Sequence, residues 1–274
     1  MSSGQVKYIR PKGSRFEFSF KEIWEYRELL YFLVLKQIKT KYKQSVIGIG
    51  WAVLQPVLSM VIFTVTFTAV TNFQTDGIPY PAFSYSTLIL WTYFSTTLTS
   101  ASMSLVSNSG MISKIYFPRI LLPLSLVIAG LLDYFLAFIV LIILMALMGI
   151  PFTLWMLVII LPLLLMVLLS AGMSFWLSAV SAKYRDVQYI IPFFTQLLLF
   201  ATPILYLWSV TPSYHWLLQW NPLSGIMLSQ RFLTFGHPDV PVELIVIAVI
   251  ISLFIFISGM VYFKHYERQL ADVI

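Results

Sequence analysis

A chain of 274 residues that is 59% hydrophobic and only 10% charged lies far below the roughly 25% charged content of an ordinary soluble domain. A fold of this size has no core able to hide so much apolar surface, so lipid is its solvent. The absence of cysteine excludes a disulfide framework and thiol chemistry, and the net charge of +6 bears on membrane orientation rather than on nucleic acid.

Residues 1–45 read as a polar tail followed by an amphipathic helix beginning near Phe20. Glu22, Glu25 and Glu28 stand near its start, and Lys36, Lys39, Lys41 and Lys43 near its end, an order that suits the helix dipole. Its apolar run, Leu29–Leu35, is far shorter than the roughly 20 residues that cross a bilayer. The expectation is a cytoplasmic interfacial helix, with a solvated helix packed on its own protein as the alternative. The tail lacks a short apolar core followed by small residues, so no cleaved signal peptide is read there.

Six spans are expected in the body of the chain, 46–264, at about 46–71, 84–105, 120–148, 153–180, 187–208 and 244–263. Val46–Thr71 is uncharged, opened by Gly48 and Gly50 and interrupted by Pro56. The second span is unusual: eleven of the 21 residues from Ser84 to Ser104 are Ser or Thr. Thr92, Ser95, Thr99 and Ser102 share one helix face. Their hydroxyls either join helices or line a polar path, and both readings stay open. Met148–Pro151 divides the long apolar run into the third and fourth spans, and Asp133 is the one acid inside it. An acid at that depth is either hydrogen-bonded to a neighbouring helix or part of a conduit. Pro212, Asn221-Pro222, Gly225, Gly236 and Pro238 break up 209–239. A re-entrant pair of short helices on the outer side, within 211–235, fits better there than a seventh span. Residues 265–274 form a short tail.

Between the second and third spans lies Ser107–Arg119, with cations at Lys114 and Arg119 and an apolar ridge of Ile115, Tyr116 and Phe117. It is too polar to span and too apolar for a plain loop. It is expected to receive a soluble partner on the cytoplasmic side, through Asn108, Lys114, Ile115, Tyr116, Phe117, Pro118 and Arg119. Pro118 ends its helix at or just before Phe117. Lys183, Tyr184, Arg185 and Asp186 form a second short charged loop and the next candidate contact.

The cations set the topology. Ten precede the first span, two lie in 107–119, two in 182–186 and two in the tail, which leaves only Arg231 on the other side. Six spans place both termini in the cytoplasm. The aromatic residues Tyr80, Tyr85, Trp208, Tyr214, Trp216 and Trp220 then fall at the outer interface, as an ordinary aromatic belt or as platforms for sugar rings.

No Gly-x4-Gly-Lys-[Ser/Thr] pattern, HExxH or Gly-x-Ser-x-Gly occurs, and His215, His237 and His265 are scattered. No catalytic residue and no metal site is therefore read, and any ATP must be hydrolysed on another chain. A membrane-embedded enzyme acting on sugar-lipids would need several converging polar groups where only Asp133 is evident.

Several stretches carry a family resemblance. They are Lys36–Gln55 (KQIKTKYKQSVIGIGWAVLQ) with Pro56 after it, Asp76–Pro81 (DGIPYP), Lys114–Arg119 (KIYFPR) leading into Leu121-Leu122-Pro123, Lys183–Asp186 (KYRD) and Asn221-Pro222. In this order they resemble the transmembrane subunit of bacterial ABC exporters for O-antigen and related cell-surface polysaccharides. The resemblance runs from about Tyr31 to the C-terminus. It implies an all-α, multi-pass protein of the bacterial inner membrane. It further implies a homodimer served by two copies of an ATPase chain, which binds ATP and Mg, while this chain carries no cofactor. The amphipathic segment would be Phe20–Gln44, the coupling helix Asn108–Arg119, and the re-entrant helices would lie within 209–235. A conduit between the two copies would pass an undecaprenyl-type lipid-linked glycan. In that setting Thr92, Ser95, Thr99, Ser102 and Asp133 are candidate lining residues. Lys36, Lys39, Lys41 and Lys43 form a candidate entrance for the pyrophosphate, with topology and anionic-lipid binding as their competing role. Related permeases for teichoic acid, capsule or small lipids and drugs are the alternatives.

Overall fold

A computed structural model describes residues 20–43, 45–71, 75, 77–208, 215–236 and 241–267. Tyr214, Asp76, the tail before Phe20 and the residues after Glu267 lie outside that set. The described residues form helices and contain no strand. In chain order the helices are α1 (Phe20–Glu25), α2 (Arg27–Tyr42), α3 (Trp51–Thr71), α4 (Tyr80–Ser102), α5 (Ser104–Ser107), α6 (Ser109–Ile112), α7 (Leu121–Leu147), α8 (Ile160–Lys183), α9 (Val187–Phe200), α10 (His215–Gln219), α11 (Pro222–Phe235) and α12 (Val242–Glu267). Four stretches are long and apolar enough to cross a membrane: Gly48–Thr68, Leu121–Leu147, Leu154–Lys183 and Val242–Glu267.

α4 is as long as these but too rich in hydroxyls to count among them. It is nonetheless the axis of the bundle. Seventeen of its 23 residues are buried, and it packs against α3, α7, α8, α9 and α11. A hydroxyl-rich helix is stable there because most of its hydroxyls fold back onto the carbonyl one turn earlier. Ser84 Oγ donates to Tyr80 O (3.0 Å) and Thr99 Oγ1 to Ser95 O (2.8 Å). Longer side chains reach other segments. Tyr85 Oη donates to Ala137 O (3.2 Å) and Tyr93 Oη to Val127 O (3.1 Å), both on α7. Thr87 Oγ1 donates to Ile204 O (2.9 Å) and Tyr80 Oη to Leu205 O (3.1 Å).

Breaks in the sequence become breaks in the helices. α7 stops at Leu147, and Gly149 adopts φ 68°, which favours glycine. Asn221 caps α11 by accepting the Leu223 amide (3.0 Å), with Pro222 in the first turn. Pro56, expected to interrupt the first span, sits inside a continuous α3. α8 and α12 approach closely where glycines face each other: a Cβ on Gly259 would come within 2.3 Å of Gly172 O.

α2 does not stand apart from the bundle. It is docked along the first half of α7 and runs in the same direction. Leu33 packs with Phe117, Ile120 and Leu121, and Lys41 lies beside Asp133. Those points are eight residues apart on α2, about 12 Å of rise.

Candidate functional site

Two features of this bundle carry chemistry: a polar crevice beside Asp133 and an exposed step at the end that bears Tyr116.

The crevice lies where α2 meets α4 and α7. Lys41 Nζ forms an ion pair with one Asp133 carboxylate oxygen, and the Tyr42 hydroxyl donates to the other. Burial, and then the hydrogen bond to Asp133, push the Tyr42 hydroxyl above its usual range. Beside this group is a cavity of about 300 Å³ whose wall includes Gln37, Thr96, Thr97, Ser100 and Gly130. A smaller cavity of about 40 Å³, reached by Gln55, Thr92 and Tyr134, lies on the other side of it. Lys41, Thr96 and Asp133 border both cavities.

Of the hydroxyls proposed to line a path, only Thr92 reaches this crevice. Ser95, Thr99 and Ser102 turn their hydroxyls onto the backbone carbonyls of Thr92, Ser95 and Thr99. The stripe that faces the cavities is Thr92, Thr96 and Ser100, at four-residue spacing, with Thr97 beside it. Sequence reasoning missed Thr96, Thr97 and Ser100, and also Gln37 and Gln55. The same spacing rule generates both stripes, and only the position of α7 and α2 separates them.

The lysines divide likewise. Lys36 Nζ donates to Asn108 Oδ1 (3.1 Å) and Lys41 binds Asp133. Lys39 and Lys43 are exposed.

At the Tyr116 end the connection between α4 and α7 is shorter in helix than expected. α5 and α6 end at Ile112, and residues 113–117 are irregular, so Pro118 does not terminate the helix. The ridge is also split. Ile115 and Tyr116 are 60% and 90% exposed, whereas Phe117 is buried at 5% in the core beneath and is not available to a partner. Its apolar neighbours Leu33, Leu105 and Leu121 offer the ring more than water does.

This step is held on two sides. Asn108 joins it to α2 through Lys36. On the other side the Arg119 amide donates to Glu267 Oε1 (2.8 Å), and Arg119 Nη1 donates to Glu267 O (3.2 Å), at the end of α12. A surface hollow of about 210 Å³ is ringed by Ile112 to Phe117 and Arg119. Lys183, Tyr184, Arg185 and Asp186 are all exposed. Lys183 Nζ lies 5.2 Å from the centre of the Tyr184 ring, with Tyr266 and Tyr262 nearby. Tyr266 belongs to the same core as Phe117, so this loop and the exposed step share one end of the bundle.

The opposite end is anchored by Arg231, which is 5% exposed. Its guanidinium donates to the carbonyls of Pro203 (3.2 Å), Ile204 (2.8 Å) and Tyr206 (3.2 Å) and lies 3.7 Å from the centre of the Phe83 ring. Two of the outer aromatics are not open platforms: Tyr80 and Tyr85 are buried at 7% and 0%. Trp208 stacks on His215 with centroids 4.2 Å apart. Trp216 and Trp220 are 67% and 70% exposed. Among the described residues no cluster of His, Cys, Asp and Glu could hold a metal ion.

The family described as ABC-2 type transporter matches residues 28–235. The chain is 29% identical over 229 residues to the O-antigen export system permease protein RfbA of Myxococcus xanthus, covering 80% of this chain and 85% of that protein. It is 28% identical over 249 residues to an RfbA of Klebsiella pneumoniae, covering 90% and 95%. It is 25% identical over 247 residues to the polysialic acid transport protein KpsM of Escherichia coli, covering 88% and 94%.

Proposed function

We propose a function from one premise: the chain belongs to the ABC-2 type transporter family. It is the permease subunit of an exporter of cell-surface polysaccharide, with O-antigen as the best-supported cargo, as the names of its RfbA relatives suggest. Capsule-type polysaccharide is the second reading, favoured by the similarity to KpsM.

In this reading the protein sits in the bacterial inner membrane with both termini in the cytoplasm. It crosses six times, through α3, α4, α7, α8, the α9 region and α12. α4 crosses despite its hydroxyls because its neighbours, not lipid, surround it. α11 has 14 residues, about 21 Å of helix, which falls short of the roughly 30 Å hydrocarbon core. That length supports a re-entrant α10–α11 pair on the outer side. Two copies enclose a conduit for a lipid-linked glycan of the undecaprenyl type. The exposed Lys39 and Lys43 assist at the entrance, and two copies of an ATPase chain supply ATP, Mg and force. Trp216 and Trp220 remain as outer platforms for sugar rings.

One observation carries the coupling role: a bare Ile115–Tyr116 step at the end that gathers Lys114, Lys183 and Arg185. Its braces lead back to α2 and α12, so a push on Tyr116 reaches two distant helices at once. The test replaces Ile115 and Tyr116 by Asp, leaving the buried Phe117 intact. The membrane-inserted variant is expected to lose the co-purifying ATPase chain and the surface polysaccharide. Full export by this variant would defeat the coupling role. Unchanged surface glycan in a strain lacking the gene would defeat the export reading.

A further inference from the structure

We propose that the crevice between α2, α4 and α7 is a binding subsite for one neutral pyranose unit, within each protomer and separate from a conduit between two copies. This deepens the reading of the chain as a glycan exporter and rests on it.

The lining sets the ligand class. The one cation and the one acid in the crevice wall, Lys41 and Asp133, are paired with each other, so their charges cancel. A phosphate entering would meet the Asp133 carboxylate and would have to compete for an ammonium already engaged. A neutral polyol meets no such cost. Around the pair stand groups that both give and accept hydrogen bonds, the Gln37 amide and the hydroxyls of Thr97 and Ser100, and the Thr96 oxygen, which can accept while its proton goes to Thr92 O. Asp133 keeps acceptor capacity, because a carboxylate has about four lone-pair sites and only two are used. Leu126, Ala129 and Gly130 give the opposite wall an apolar floor for a C–H face.

Thr97 is the independent pointer. It borders the cavity and is 3% exposed, yet Oγ1 has no hydrogen-bond partner. The other hydroxyls of this turn, on Thr96 and Thr99, are bonded to the backbone. A buried hydroxyl without a partner is costly; Thr97 is one of nine such hydroxyls among the described residues, and the one that borders this cavity. Gly130 packs closely on this hydroxyl, since a Cβ there would come within 2.7 Å of Thr97 Oγ1. The volume, about 300 Å³, is at the small end of ligand pockets and suits one ring rather than an oligosaccharide.

The experiment uses the full chain in nanodiscs and a panel of neutral methyl pyranosides, read by saturation-transfer NMR. At least one glycoside is expected to give a ring-proton signal. Thr97→Val, which removes only the hydroxyl, should weaken it about tenfold, and so should Gln37→Ala, which lies on the exposed helix and spares the bundle core. Thr99→Val, whose hydroxyl faces elsewhere, should bind as the unsubstituted protein does. Silence from the whole panel would leave water as the occupant and overturn the assignment. So would unchanged binding in both Thr97→Val and Gln37→Ala, or displacement of the glycoside by inorganic pyrophosphate. Failure of the export reading appears elsewhere, as unchanged surface glycan in the deletion strain, and a glycoside signal would survive it.

Discussion

Asp133 binds two groups of α2, and the structure says which bond matters more. The Lys41 side chain is 48% exposed. Water therefore competes for it, and the pair falls in the range of surface ion pairs, about 0.2–1 kcal/mol. The Tyr42 hydroxyl is half-buried and has a charged acceptor, a bond worth about 1.5–3 kcal/mol. The expected order is thus Lys41→Met the mildest, Tyr42→Phe larger, and Asp133→Ala largest, at about 2–3 kcal/mol, since it removes the acceptor of both bonds and strands the half-buried Tyr42 hydroxyl. Asp133→Asn should fall between, because the amide oxygen still accepts one bond. The assay is the thermal unfolding midpoint of the detergent-solubilised chain, where 1 kcal/mol corresponds to about 2–4 °C. Double substitution at Tyr42 and Asp133 should be less than additive. If Lys41→Met cost as much as Asp133→Ala while Tyr42→Phe had no effect, the hydrogen-bond argument would be wrong.

Arg231→Lys should destabilise by about 2–4 kcal/mol in the same assay, because an ammonium cannot serve three carbonyls in the fork a guanidinium presents; a midpoint within a degree of the parent would refute it. Gly259→Ala places a methyl within 2.3 Å of Gly172 O and should cost about 1–3 kcal/mol or lower the yield of folded protein. Asn221→Ala removes the α11 cap and two donated bonds, to Ala201 O (3.1 Å) and Thr202 Oγ1 (2.9 Å), for a loss of about 1–2 kcal/mol. Proteolysis at the α10–α11 junction would report that loss directly.

Much of this protein is local in origin and so was legible residue by residue. The single charge in Leu121–Leu147 and the absence of charge over Leu244–Phe263 make lipid the solvent whatever the rest of the chain does. Gly149 and Asn221-Pro222 stop or start helices through their own backbone chemistry, and the structure places the breaks there. The exposed Tyr116 follows from a short amphiphilic insert between long apolar runs. What the sequence could not specify is direction around each helix. A helix apolar on all sides has no hydrophobic face to mark its interior, and α4 scatters hydroxyls over its whole circumference, so the stripe at Thr92, Thr96 and Ser100 looked no different from the one at Ser95, Thr99 and Ser102. Phe117 turned inward for a similar reason: its core neighbours Leu33 and Leu121 come from α2 and α7, not from its own segment. Asp133 stood alone in the sequence because its partners Lys41 and Tyr42 lie 92 and 91 residues away. Composition and local backbone chemistry settled the solvent and the breaks at Gly149 and Asn221-Pro222, but not those expected at Pro56 and Pro118. Only packing between distant helices decided which polar groups meet, because that depends on contacts no single segment contains.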